Sequence, residues 1–206
     1  MAEIGNLFVV AAPSGAGKTS LVKAIVDSTP NVTVSISHTT RLMRPGETDG
    51  LNYYFIGFPE FQHMIDHQDF LEHAAIFGNH YGTSKKWVKQ TLAKGIDIIL
   101  EIDWQGQQQI KRLFPSTISI FILPPSFQAL HKRLIHRNQD HADVIKKRLA
   151  DARETVSHLP EFDYIVVNDD FAQTTHDLKT IIEASRFLRA QQVSKYAKLI
   201  EDLMTP

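Results

Sequence analysis

The stretch that most constrains this chain runs from Leu7 to Ile25. Leu7 to Ala12 is a short apolar run of strand length. It leads directly into Pro13-Ser14-Gly15-Ala16-Gly17, and then into a segment with Leu21, Val22 and Ile25 at helical spacing. Strand, glycine-rich turn and helix form the setting in which Gly15-Ala16-Gly17-Lys18-Thr19 becomes a phosphate cradle. The glycines let successive backbone N–H groups turn toward one anion, and the helix start adds the positive end of its dipole. Lys18 supplies a cation for β- and γ-phosphates, and Thr19 a hydroxyl for Mg²⁺. Residues Ala12, Pro13, Ser14, Gly15, Ala16, Gly17, Lys18, Thr19 and Ser20 are therefore the expected triphosphate side of a site. The pattern usually opens with glycine six positions before its lysine. Ala12 stands there, which is acceptable if the backbone needs no positive φ. The rival reading is a glycine-rich turn with a chance GKT, and the strand-to-helix context argues against it.

Beyond this loop, apolar runs at 96–102, 118–123 and 164–167 alternate with amphipathic segments at 84–94, 105–114 and 171–204, the last read as one long helix, kinked or straight. Val32 to Ile36 is a further strand candidate, 58–67 a helix and 70–77 a strand. Such alternation predicts a mostly parallel sheet covered on both faces, a three-layer α/β/α fold of the P-loop NTPase kind. Residues 1–34, 84–124 and 158–206 are assigned to this core. Two polar segments interrupt it. One, 35–83, carries Pro45-Gly46 and Asp49-Gly50, so its 38–52 part reads as loop and turn. The other, 125–157, follows Pro124-Pro125 with two basic helices near 126–137 and 141–157. Both are candidates for substrate-facing subdomains.

The chain's 206 residues suffice for one such unit. A formal net charge of −1 argues against a generally basic nucleic-acid binder. Cysteine is absent, which excludes disulfides and thiolate metal sites and suits a reducing compartment. The apolar runs are too short to span a bilayer, and no signal-peptide pattern opens the chain, so a cytoplasmic protein is expected.

Several groups carry candidate chemistry. Glu101 and Asp103 end an apolar strand, where an acid can order Mg²⁺ or its waters beside a phosphate loop. Asp103-Trp104-Gln105-Gly106 also fits the D-x-x-G pattern of GTPase switches. A late N-K-x-D motif would accompany that pattern, but the corresponding strand ends Val166-Val167-Asn168-Asp169-Asp170. Asp103 also has a bland reading, as the N-cap of the helix that follows. Arg41 and Arg44, three apart among hydroxyl-bearing residues, suit a phosphate dianion. Arg133 and Arg137 share a helix face, with Arg148 on the next helix. The interspersed Lys132, Lys146 and Lys147 mean that part of this charge is a solvated surface. His63 and His67 have zinc-site spacing, but Met64 stands where the catalytic glutamate would be, so a solvent-facing pair is favoured. Trp87 and Trp104 read as packing residues.

Taken together, the chain resembles a guanylate kinase. The resemblance rests on APSGAGKTS at 12–20, SHTTR with RPGE and DG-x-x-Y at 37–53, FLE at 70–72, GNHYGTS at 78–84, EIDWQG at 101–106, the PPS-led basic segment from 124, and VVNDD at 166–170. It implies transfer of the γ-phosphoryl group of ATP to GMP with Mg²⁺ as cofactor. It implies that 35–83 is a GMP-binding subdomain and 125–157 a lid. By similarity Arg41, Arg44, Tyr53 and Tyr81 would hold the GMP phosphate, and Ser37, Glu72 and Thr83 would read the guanine. Glu101 and Asp103 would lie beside GMP, Asp103 and Thr19 would serve the metal, and Asn168 would face adenine. Lys18, Arg41, Arg133, Arg137 and Arg148 would act on the transferring group. Where this chain has Glu101, relatives often have aspartate. A guanylate kinase-like module that binds a phosphorylated peptide is the non-enzymatic rival, although such modules often lose the lysine or arginines present here. The C-terminal apolar residues Val193, Tyr196, Leu199, Ile200 and Leu203 would pack on the core or on another copy, which leaves room for a homo-oligomer.

Overall fold

A computed structural model describes residues 4–76, 78–136 and 142–205. Five strands form a wholly parallel central sheet: β1 (Leu7–Ala11), β2 (Val32–Val34), β7 (Asp97–Glu101), β8 (Ile118–Leu123) and β9 (Tyr164–Val167), in the order β2-β7-β1-β8-β9. The chain moves to one side of β1 for β7 and β2, and to the other for β8 and β9. This reversal opens a crevice at the carboxyl end of β1, the usual ligand position in open α/β sheets.

Alternation along β1 divides the core. Phe8 and Val10 face α1 (Lys18–Ser28) and α7 (Phe171–Ser185), joining Leu21, Val22, Ile25, Leu178 and Ile182. Leu7, Val9 and Ala11 face α3 (Lys85–Leu92) and α4 (Trp104–Leu113), joining Val88, Leu92 and Ile110. Trp87 and Trp104 pack against this second layer, as the sequence suggests. Burial of both faces is why these strands are continuously apolar.

A second, four-stranded sheet lies within residues 38–84. Its strands are β3 (His38–Thr39), β4 (Tyr54–Phe55), β5 (Phe70–Ile76) and β6 (Asn79–Ser84), in the order β4-β3-β6-β5, with β3 parallel to β4 and the other pairs antiparallel. Helix α2 (Phe58–Asp66) covers it through Phe61. Here the loop expected over 38–52 is corrected: His38–Thr39 is a strand. Two residues are too few to show a period, and its order comes from pairing with Gly82 and Tyr81. The polar strand β6 also has no hydrophobic signature.

Helices α5 (Phe127–His136) and α6 (Ala142–Ser157) form a small unit around Leu130, Leu134 and Ala152, with Leu149 against it. A single 3₁₀ turn at Leu159–Glu161 leads from α6 toward β9. The long C-terminal helix is three helices: α7, α8 (Arg189–Lys195) and α9 (Ala197–Met204). The first break follows from Arg186, whose Nε donates to the buried Asp97 at 2.8 Å and whose NH2 donates to Pro30 O at 2.8 Å. The next amides, Phe187 and Leu188, tighten to i−3 bonds. Val193, Tyr196, Leu199 and Leu203 remain exposed, and α9 buries no residue. Among the described residues, no helix is long and apolar enough to cross a membrane.

Candidate active site

The loop after β1 closes on itself, with Ala16 N donating to Pro13 O at 3.0 Å. Gly15 and Gly17 have φ of 92° and 98°, the left-handed region that glycine enters without strain. Ala12 is not among the residues with positive φ, so its methyl group is tolerated there. Gly17 caps α1 without any side-chain bond to the first helical amides, which leaves those donors for an anion. Lys18 starts the helix. Its Nζ lies 3.3 Å from Ile102 O at the end of β7. Burial lowers the Lys18 pKa, opposed by the charges of Glu101, Asp103 and Glu72. Pro13 is buried, Ser14 is half-buried, and Thr19 and Ser20 are exposed.

The strand β7 brings two acids to this loop. The Thr19 hydroxyl donates to Glu101 Oε2 at 2.9 Å. Asp103 caps α4 by accepting Gly106 N–H at 2.9 Å, as its bland reading expects. A hydroxyl beside carboxylates is a hard-oxygen set that suits Mg²⁺, which takes few protein ligands and completes its octahedron with phosphate and water. Among the described residues, no cluster of three or more His, Asp or Glu forms a denser metal site. His63 and His67 stack with ring centroids 4.0 Å apart on the outer side of α2.

Asn168, at the end of β9, is buried at 5% exposure. Its Nδ2 donates to Ala16 O at 2.7 Å. Arg133 on α5 joins the same point, with NH1 3.4 Å from Ala16 O and NH2 3.1 Å from Asn168 O. Leu130 and Leu134 press against Gly15, where a Cβ would meet them at 3.1–3.2 Å. The α5–α6 unit is thus packed on the phosphate loop itself. Asn168 braces the loop from behind, a role its position in the sequence does not show. Arg148 is half-buried on α6, and Arg137 lies outside the described residues.

Across the crevice, a bulge in β5 sets the direction of Glu72. Phe70 pairs with Ser84 and Glu72 with Thr83, so β5 spends two residues where β6 spends one. Alternation is broken, and Leu71 and Glu72 are both buried. Both lie on the Thr83 face of the sheet: Leu71 joins the core layer, and the Glu72 carboxylate reaches the start of α4 beside Gly106. The extra residue of a bulge re-aims a side chain in this manner. Thr83 Oγ1 donates to Glu72 Oε1 at 2.6 Å. Burial, offset in part by that bond, pushes the Glu72 carboxyl up to about 7. A carboxylate 4% exposed, facing a lysine, in a strand of a small sheet is not a solvent-facing charge.

The arginine pair divides its work. Arg41 NH2 lies 2.7 Å from Glu47 Oε1, and its NH1 3.0 Å from Oε2 and 2.8 Å from Leu42 O. Its guanidinium sits over the rings of Tyr53 at 5.3 Å and Phe55 at 5.6 Å. The hydrogen bond to Glu47 raises the Arg41 pKa, and Tyr81 adds to the rise. Tyr53 and Tyr81 meet edge to face, 5.9 Å between centroids. Arg44 keeps its side chain exposed while its N–H donates to Glu47 Oε2 at 2.7 Å. Ser37 is half-buried just before β3. Glu47 is thus a residue that motif reading names but gives no part. Its signal is the bond to both arginines of its own turn.

A phosphate loop at the switch point of a fully parallel sheet, with acids from the neighbouring strand facing its lysine, defines a nucleotide-binding protein of the P-loop NTPase class. Within that class the comparisons with known proteins are specific. The guanylate kinase family model matches residues 4–185. The chain is 52% identical over 200 residues to the guanylate kinase of Pseudomonas fluorescens (strain Pf0-1), covering 97% of each chain. It is 56% identical over 196 residues to that of Hahella chejuensis, covering 95% of this chain and 94% of the other. Among solved structures, guanylate kinase from Anaplasma phagocytophilum aligns with a TM-score of 0.79 at 31% identity, covering 92% and 90% of the two chains. The chain belongs to the guanylate kinase family.

Proposed function

We propose that this protein transfers the γ-phosphoryl group of ATP to GMP, yielding ADP and GDP. The observation that carries the choice of GMP is Glu72, buried, bonded to Thr83 and aimed across the crevice toward Lys18. Guanine presents N1–H and an exocyclic amine as adjacent donors, which a carboxylate accepts together. Adenine presents a lone pair at N1 and is repelled by the same group. Buried mismatches of this kind reject a substrate by large factors. Ser37 and Thr83 supply further hydroxyls at the base.

The positions support the following division of labour. The amides after Gly15 and the Lys18 ammonium receive the ATP phosphates. Thr19, Glu101 and Asp103 would hold Mg²⁺, in part through water, and the ion would neutralise phosphate charge. Arg41, Arg44, Tyr53 and Tyr81 receive the GMP phosphate. An oxygen of that phosphate is already charged and attacks without a dedicated base, so catalysis rests on alignment and charge neutralisation. The α5–α6 unit serves as a lid whose Arg133, Arg137 and Arg148 complete the phosphate environment and whose closure excludes water. Asn168 assists ATP indirectly, by holding Ala16. The cysteine-free composition suits a cytoplasmic setting.

An ADP-coupled assay with ATP-Mg²⁺ and each of GMP, AMP, CMP and UMP tests this. Turnover dependent on GMP is expected. No ADP with any acceptor, together with tight binding of a phosphorylated peptide, would assign the pocket to the binding-module class instead.

A further inference from the structure

We propose that Gly106 is a specificity-determining position of the acceptor site: its missing side chain reserves the space that the Glu72 carboxylate occupies. The inference rests on the assignment of Glu72 as the base-reading group. Gly106 lies in the first turn of α4 and is buried. A Cβ built there would stand 2.8 Å from Glu72 Oε2, 3.0 Å from Ile102 Cδ1 and 3.2 Å from Ile102 Cβ. Nothing in the backbone asks for glycine, because Gly106 is not among the glycines with positive φ. In a helix, alanine is otherwise the better residue. The reason for glycine here is therefore room, bounded by Ile102 and, nearest of all, by the Glu72 carboxylate.

The surrounding contacts decide which group would yield to a methyl. Gly106 N–H is held by Asp103 Oδ1 at 2.9 Å, so the start of α4 is pinned. Ile102 is buried in the core layer beneath. Glu72 Oε2 is the free end of a flexible side chain, while Oε1 is tethered to Thr83 at 2.6 Å. A methyl at 106 would turn the carboxylate about its tethered oxygen. One acceptor stays and the other leaves the plane shared with the base. Guanine needs both acceptors for N1–H and the amine. Hypoxanthine has the N1–H but lacks the amine, so it loses less.

Steady-state kinetics of G106A with GMP, IMP and ATP test the proposal, with wild type as control. Expected is a KM for GMP raised about tenfold, a preference for GMP over IMP reduced by a similar factor, and an unchanged KM for ATP. The double variant E72D/G106A, whose shorter carboxylate clears the new methyl, should show less than the product of the two single effects. If G106A proves insoluble, E72D/G106A carries the test: it must fold and must bind ATP normally. An unchanged GMP-to-IMP ratio, equal effects on GMP and ATP, or a double variant that also fails to fold would each overturn the proposal. Wild-type protein that does not use GMP would instead overturn the function on which it rests.

Discussion

Arg41 and Glu47 form a two-pronged pair, 2.7 and 3.0 Å across its two bonds, inside a nook of Tyr53 and Phe55. A guanidinium has five N–H donors. Glu47 and the Leu42 carbonyl take three of them, so the pair orients the arginine and leaves the others on the side of Tyr81. Glu47 also accepts the Arg44 N–H, which closes the turn carrying both arginines. The prediction is that E47Q raises the KM for GMP roughly tenfold, on the scale of about 1.5 kcal/mol for a charged hydrogen bond. The KM for ATP should not change. Improved GMP binding would show that Glu47 competes with phosphate rather than aiming Arg41.

A second prediction concerns Glu72. Replacing it with glutamine keeps the shape but swaps one acceptor for a donor. We expect E72Q to lower kcat/KM for GMP roughly 10- to 150-fold, the span of about 1.5–3 kcal/mol for a hydrogen bond to a charged group. The KM for ATP should stay within about twofold of wild type, well inside 1 kcal/mol. Equal losses for both substrates would remove the base-reading role.

The two halves of the site differ in how visible they are before folding. Lys18 and its glycines are legible because strand, loop and helix are local. Glu72 is visible as a residue but not as a direction. A period-two reading of Phe70 to Ile76 cannot include the bulge that puts Leu71 and Glu72 on one face and buries both. Strand β6 escapes notice because Asn79-His80-Tyr81-Gly82-Thr83-Ser84 has no apolar face to alternate. Asn168 and Ala16 are separated by 152 positions, so their bond exists only in the fold. The C-terminal break depends likewise on Arg186 meeting Asp97 and Pro30. The resemblance implies a guanine contact for Glu72 and an adenine contact for Asn168; the structure shows Glu72 bonded to Thr83 and Asn168 bonded to Ala16 O.

A third prediction follows from the carboxyl pushed up to about 7 by burial. In the proposed role, the ionised form is the one that accepts guanine. In the empty enzyme, the KM for GMP should therefore fall as pH rises through about 7, and E72Q should abolish that inflection. The sign for stability is opposite. An acid whose folded pKa is raised above its ordinary 4.5 favours the neutral folded state, so this group's contribution declines as pH climbs from about 4.5 to about 7. Thermal melts of ligand-free wild type and E72Q across that window should converge at the acid end and separate toward neutrality, with E72Q the more stable there. A constant separation would argue against the shift.

Asn168 yields a fourth. Removing its amide in N168A leaves Ala16 O without its 2.7 Å donor, although Arg133 remains nearby. The expected loss is about 1 kcal/mol of stability. The KM for ATP should rise while the KM for GMP holds. A change confined to GMP would contradict the role of brace.

The central claim is that a P-loop phosphoryl donor site faces an acceptor site built for guanine. Single-turnover transfer from γ-labelled ATP to equimolar mixtures of GMP and AMP, near pH 8 where Glu72 is ionised, tests it most directly. The account predicts label in GDP with at least roughly thousandfold preference over ADP formed from AMP, the scale of a buried donor–acceptor mismatch. Comparable labelling of both acceptors, or labelled inorganic phosphate with neither, would contradict it.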